Sequence, residues 1–440
     1  MIQTLVTALK DKQLRTKILY TLMVILIFRI GAAIPVPFTD ASQGIVSDVS
    51  SGNFMNYLSM MTGDAFNYGT LFAMSITPYI NSSIIIQLLT VAIKPLEKLA
   101  KEGETGRKKI NAITRYLAIA IALLQSTAYF FYLKSYGYLT VSKAGVPFTG
   151  FSLVLQALSV IAILTAGSSV LIWLGEQINK KGVGNGISIL LFAGIISRIP
   201  TTITQIYQYF AHGGLYYAFA PIALISMILM VFFIVWMDNS ERKIPVIYAK
   251  RVVGRKLYGG QNTHIPIKVN MSGVMSIIFA SSILSLPPTI KMFFGDRIKD
   301  GTFADKFFKL FNAEHWFYGL IYFIFIIFFA YFYAMIQYNP IEMANNLRKN
   351  SGSIPGIRPG KPTSDYLIKV LNRIILIGAL LISVVALYPI VFSQVTSLAK
   401  APMNIALGGT SVLIIVGVAI ETIRQLESQL IMRQYKGFLD

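Results

Sequence analysis

Apolar residues gather into ten runs, each close to the roughly 20 residues a helix needs to cross a bilayer. They extend over Ile18 to Ile34, Thr70 to Ile93, Ile113 to Leu133, Phe151 to Leu174 and Ile187 to Ile206. The other five are Leu215 to Trp236, Val274 to Ile290, Trp316 to Ile336, Ile374 to Phe392 and Ile405 to Ile420. The pattern predicts an all-α polytopic membrane protein with ten transmembrane helices. The fifth run is the least regular, because Arg198 and Pro200 interrupt it. All three tryptophans (Trp173, Trp236, Trp316) fall at run ends, where an amphipathic ring suits the headgroup layer.

Four runs carry polar residues where hydrocarbon is expected. In ITPYINSSIIIQLL (76–89), Pro78, Asn81, Ser82, Ser83 and Gln87 sit among isoleucines. Unpaired polar groups in lipid cost several kcal/mol each, so this stretch reads as wet and broken. Helical spacing puts Ile76, Ile80, Ser83, Ile84 and Gln87 on one side, with Asn81 well away from them. GNGISILLFAG sets Ile187 and Leu191 four apart just after a Gly-rich break. SIIFASSILSLPP mixes Ile277, Ile278 and Ile283 with Ser276, Ser281, Ser282 and Ser285. GGTSVLIIVG places Thr410 and Ser411 ahead of Leu413, Ile414 and Ile415. In a single helix such residues read as close packing. Four helices with the same mixture favour a water-containing path pinched by aliphatic side chains, which dewet and resist ions yet stay deformable.

The loops differ in character. Residues 35–69 hold Asp40, Asp48 and Asp64 and no cation. Within them NFMNYLSMMTGDAFNYG (53–69) is moderately apolar and too short to span, so it reads as a short helix folding back from outside or as a surface loop with a hydrophobic side. Residues 237–272 carry Arg242, Lys243, Lys250, Arg251, Arg255, Lys256 and Lys268. There Ile244, Val246, Ile247 and Tyr248 suggest a strand and Gly259-Gly260 a turn, which together predict a protruding hairpin. Residues 337–369 contain NSGSIPGIRPGKPTSD, whose Gly and Pro favour an irregular exposed tip bearing Arg358.

Composition agrees with the pattern. Of 440 residues, 55% are hydrophobic and 13% charged, with mean hydropathy +0.62; a soluble domain carries about 25% charged residues. With the N-terminus inside, 27 of the 39 Lys and Arg fall in cytoplasmic segments and 8 in external loops. That imbalance puts both termini in the cytoplasm. The net charge of +20 therefore faces mostly the cytosol, where it suits anionic lipid, nucleic acid or an acidic protein, as well as orientation alone. The first run has no A-x-A-like cleavage site and ends in Pro35-Val-Pro37, which reads as a retained span.

Candidate chemistry is sparse. There is no Cys, so disulfides and thiolate metal sites are excluded. His212, His264 and His315 lie on different sides, and no HExxH is present. GIRPGKPT departs from a phosphate-binding loop, with Pro355 in place of the first Gly and Pro362 in place of the Ser or Thr. No Asp or Glu lies inside any run, which argues against an ion-coupled transporter built on buried carboxylates. No catalytic residue, metal site or cofactor is expected. Two rivals stay open: a secondary transporter for a small solute, and an insertase without a through-channel.

Five groups of residues carry a resemblance. PYINSSIIIQLL, KEGETGRKKI, WLGEQI followed by GVGNGISI, THIPIKVNMSGV with IFASSIL, and NNLRKN with SIPGIRPG resemble the bacterial SecY family, the channel subunits of the Sec protein translocon. The resemblance runs from about Lys17 to the C-terminus and implies two pseudo-symmetric five-helix halves, 1–206 and 207–440, around a central hourglass pore. It implies a pore ring of Ile80, Ile84, Ile187, Leu191, Ile278 and Ile414, with Leu191 standing where isoleucine is frequent. It implies a plug near 53–67 with Asn53, Phe54, Met55, Tyr57, Leu58, Met60, Met61 and Asp64, the last an unusually polar residue there. The second and seventh spans would form a lateral gate involving Asn81, Ser82, Gln87, Gln125, Asn270, Ser281 and Ser282, with Gln87, Gln125 and Asn270 as a polar latch. Arg242, Arg251, Arg255, Lys256 and Arg358 would dock a ribosome or the SecA motor, either of which would supply the energy. SecE-like and SecG-like small subunits, preprotein signal sequences and membrane lipids complete the implied partners, in the bacterial cytoplasmic membrane. The implied function is passage of unfolded preproteins across that membrane and lateral release of membrane helices.

Overall fold

The computed structural model describes residues 7–39, 59, 62–135, 137–139, 150–248, 251–253, 256–258, 262–294, 302–311, 315–399 and 408–436. All ten expected runs fall on helices. α1 (Lys12–Gly31) starts at Asp11, whose carboxylate accepts from the N–H groups of Gln13 and Leu14. α2 (Thr77–Ala92) bends by 101° at Ile93 into α3 (Lys94–Lys101). α4 (Glu104–Ser135) and α5 (Phe151–Lys181) follow, joined by an Arg115–Glu176 ion pair of 2.6 Å. Then come α6 (Gly186–Ile196), α7 (Ile199–His212) and α8 (Tyr216–Asn239). After the cytoplasmic strands lie α9 (Met275–Leu284), α10 (Leu286–Phe294), α11 (Phe303–Leu310) and α12 (Trp316–Gln337). α13 (Pro340–Lys349), α14 (Lys361–Leu398) and α15 (Gly409–Lys436) complete the chain.

Among the described residues, seven helices are long and apolar enough to cross a membrane, or eight if α2 and α3 form one span. Two expected spans fall outside that number for physical reasons. Helix α1 includes Arg15, Lys17 and Arg29 among its 20 residues. The seventh run is divided at Ser285 into α9 and α10, just ahead of Pro287-Pro288.

The stretch that reads as broken is instead a continuous helix from Thr77 onward. Helix α2 begins only at Thr77, so Pro78 lies in the first turn, where a missing N–H costs nothing. The irregular backbone lies before it, where Ser75 has φ +49°. The fifth run does break, at Ser197–Arg198, and Pro200 then opens α7.

The cytoplasmic hairpin is present and more elaborate than expected. β1 (Glu241–Tyr248) pairs antiparallel with β4 (Asn262–Lys268), Ile244 opposite Ile265. β2 (Arg251–Val253) and β3 (Lys256–Tyr258) pair beyond them, so the chain reverses between 253 and 256. The expected turn at Gly259-Gly260 lies outside the described residues, between β3 and β4. β5 (Gly352–Ser353) pairs with Ile247 and Tyr248, giving the order β4-β1-β5 and tying the two large cytoplasmic loops together. Ile244 and Ile267 pack beneath this sheet on Ala344, Ile354, Leu367 and Leu371, which fixes it to α13 and α14.

Candidate functional site

The six ring candidates come from four helices. Ile80 and Ile84 come from α2, Ile187 and Leu191 from α6, Ile278 from α9 and Ile414 from α15. All lie in or against one contiguous apolar cluster, five of them buried and Ile187 partly buried at its edge. Local chemistry explains how α6 reaches this place. Asn185 caps the helix, its Oδ1 accepting from Ile187 N at 3.1 Å, and Gly186 N donates to Asn179 Oδ1 at 2.8 Å. A Cβ on Gly186 would collide with the Gly175 carbonyl of α5, so only glycine lets the two helices meet there. The GVGNGISI motif is therefore a joint that aims Ile187 and Leu191 at the cluster.

The gate candidates lie along α2, α4, α9 and the segment before α9. Helix α2 packs on α4 and on α9, while α10 packs on α4. Ser82 and Ser281 are buried and donate to the carbonyls of Tyr79 and Ile278, at 2.9 and 3.0 Å. Ser282 is half-buried, and its carbonyl accepts from Ser285 Oγ at 2.6 Å. Asn81 Oδ1 is buried with no protein partner, as is Thr77 Oγ1 one helical turn earlier. Gln125 lines a narrow crevice with Thr62, Thr77, Tyr129, Ser285 and Thr289, where three helices meet.

The expected polar latch does not close through hydrogen bonds. Gln87 Nε2 donates to Ser83 Oγ of its own helix at 3.2 Å, and Asn270 Nδ2 donates to Asp238 Oδ1 at 3.1 Å. Among the described hydrogen bonds none joins Gln87, Gln125 and Asn270.

Of the plug candidates, Asn53, Phe54, Met55, Tyr57, Leu58, Met60 and Met61 lie outside the described residues. Asp64 is placed. Its Oδ1 accepts from Ser59 Oγ at 2.9 Å and stands 3.1 Å from Nη2 of Arg198. Arg29 of α1 donates to Ser197 Oγ at 2.8 Å beside it. Arg29 and Arg198 are cations within the first and fifth apolar runs, and no motif or resemblance gives either a role. The available signal was that an intramembrane cation demands a partner.

On the cytoplasmic side, Arg242 and Arg358 are exposed, and Thr363 Oγ1 donates to the Arg358 carbonyl at 2.9 Å, fixing the tip's backbone. Arg251 and Lys256 lie in the paired strands β2 and β3, and Arg255 falls outside the described residues. Among the described residues no cluster of His, Asp or Glu could hold a metal ion.

Comparison with known proteins gives the family and the overall fold. The SecY family model matches residues 70–423. The protein translocase subunit SecY of Streptomyces galbus is 40% identical over 445 aligned residues, covering 100% of both chains. That of Mycobacterium tuberculosis is 39% identical over 448, again with full coverage of both. Among solved structures, one described as a protein conducting channel aligns with TM-score 0.61 at 18% identity, covering 94% of this chain and 92% of the other. Sec61 in the canine ribosome–channel complex aligns with TM-score 0.59 at 18% identity, covering the same shares. The chain belongs to the SecY family.

Proposed function

We propose that Ile80, Ile84, Ile187, Leu191, Ile278 and Ile414 form the waist of a protein-conducting channel. The channel passes unfolded preproteins across the cytoplasmic membrane and releases membrane helices sideways into lipid. The observation that carries this reading is that all six aliphatic side chains, from four helices, belong to or pack against one contiguous apolar cluster. An aliphatic waist excludes water and ions at rest and yields around a threading chain, because dispersion contacts have no fixed geometry to break.

Repeated contacts support a division into two halves, 1–206 and 207–440. Gly167 of α5 lies against the Leu71 carbonyl just ahead of α2, and Gly378 of α14 lies against the Val269 carbonyl just ahead of α9. Likewise Gly186 opens α6 against the Gly175 carbonyl of α5, and Gly409 opens α15 against the Val385 carbonyl of α14. The fourth and fifth spans thus repeat the contacts of the ninth and tenth. The waist takes four residues from one half and two from the other, as a clamshell requires.

A lateral gate between α2 and α9 accounts for Asn81 Oδ1 and Thr77 Oγ1, buried without partners along a seam that has to part. The segment near 53–67, which includes Asp64, serves as plug. Arg242, Arg251, Arg255, Lys256 and Arg358 give the cytoplasmic face its docking charge. A ribosome is polyanionic, so its binding there weakens as salt rises. The protein conducts rather than catalyses, and a docked ribosome or SecA motor supplies the drive. Vesicles containing this chain with its SecE-like subunit test the reading. With SecA, ATP and preprotein outside, protease-protected preprotein accumulates in the lumen; none accumulating contradicts it.

A further inference from the structure

Helix α6 carries Ile187 and Leu191 and ends beside a small group of charged side chains that the waist and gate do not use. The turn at Gly63-Asp64 rests directly on the break after α6. A Cβ on Gly63 would stand 2.7 Å from Ser197 Oγ, 2.8 Å from the Gly194 carbonyl and 2.9 Å from Arg29 Nη1. Ser197 Oγ also donates to that carbonyl at 2.6 Å. Asp64 holds φ +70°, a left-handed backbone that non-glycine residues adopt rarely, although Asp tolerates it better than most. Its carboxylate reaches Arg198, and the two side chains are 19% and 12% exposed. Arg198 Nε and Nη1 are buried with no protein partner. Arg198 therefore depends on Asp64 for its ion pair, while the neighbouring Arg29 guanidinium is held on Ser197.

We propose that Asp64 and Arg198 form a latch tying the root of the plug to the helix that carries Ile187 and Leu191. Its strength sets how strong a signal sequence must be to open the channel. The proposal rests on the plug-and-waist reading above and deepens it. A charge pair suits a threshold. Inside a half-buried cluster it resists separation, because parting leaves an uncompensated arginine. Once α6 moves away and water enters, the attraction falls with the local dielectric and offers little further resistance. An apolar contact of the same size would yield gradually. The latch also couples two events: moving α6 widens the waist and frees the plug together.

The test uses Asp64→Asn and Arg198→Gln, singly and combined, in vesicles holding the chain with its small subunits. Asn tolerates the left-handed backbone, and Arg198→Gln probes the same pair from a different element, so the outcome does not hang on one variant. Each single change is expected to raise the substrate-free iodide leak about tenfold, the lower end of what loss of a charge-assisted hydrogen bond gives. Each also admits preproteins with weakened signals while transporting strong ones normally. The combined variant leaks no more than the worse single one, because both changes remove the same contact. Ile84→Asn in the same vesicles separates the two readings. If it leaks while both latch variants stay as tight as the parent, the latch is wrong and the waist stands. If it does not leak either, the waist itself is wrong and the latch falls with it. Leaks that multiply in the combined variant would also overturn the latch, since they would mark two independent injuries.

Discussion

At the scale of single residues, the waist depends on shape and hydrophobicity at a few positions. Ile84 and Ile278 are 3% and 8% exposed, and each faces other aliphatic groups. Replacing either with Asn puts an amide where no partner awaits it, a cost of about 1–3 kcal/mol by protein mutational data. That cost falls on the closed state alone, because an open pore is wet. A shift of that size moves the closed–open balance by roughly tenfold or more. Ion leak from vesicles without substrate, read by a halide-sensitive dye, is expected to rise accordingly. An unchanged leak would remove these residues from the seal. The four helices that carry them stand out in the sequence because polar and aliphatic residues mix within spans that ought to be plain hydrocarbon, whereas the six positions themselves are implied by the resemblance alone. The Asp64–Arg198 pair was not, since its members lie far apart in the chain and only folding brings them together. Of the residues implied as a polar latch, Gln87 donates to Ser83 and Asn270 to Asp238, partners that folding rather than sequence reveals.

At the scale of elements, the breaks do the positioning. Helix α2 starts cleanly at Thr77 and turns by 101° after Ala92, so its aliphatic side is presented over a fixed length. The Ser197–Arg198 break ends α6 where the Gly63-Asp64 turn rests. The presence of long helices was readable from apolar run length, and the β1–β4 hairpin from alternating apolar residues. β5 escaped because a strand of two residues has no pattern of its own and exists only through pairing with Ile247 and Tyr248. That pairing braces the tip carrying Arg358, whose exposed side chain contributes no core contact. Arg358→Glu is therefore expected to leave stability within about 0.5 kcal/mol of the parent, as exposed substitutions usually do. SecA-driven export should nevertheless fall severalfold, because the reversed charge repels the surface that the motor presents to this tip. A thermal unfolding midpoint measured alongside transport rate checks both halves of the prediction. Unchanged SecA-dependent export would remove the docking role.

At the scale of the whole molecule, two sets of helices meet across one aliphatic cluster, and the outer surface is left to lipid. Leu22 and Phe232, for instance, are 54% and 71% exposed on α1 and α8, as side chains facing acyl tails should be. The membrane class and orientation follow from composition and the placement of cations, properties that sum over many residues and so survive any local misreading. The contacts that support the proposed halves, such as Gly167 with the Leu71 carbonyl and Gly378 with the Val269 carbonyl, are invisible to composition and arise only in three-dimensional packing.

The absence of native cysteine allows the central claim to be tested cleanly. A preprotein arrested partway through the membrane and carrying one reactive cysteine can be crosslinked to single cysteines placed at 80, 84, 187, 191, 278 and 414. The account predicts crosslinks at these six positions and none at 22 or 232. An arrested chain that reaches the lipid-facing controls and misses the six would contradict it.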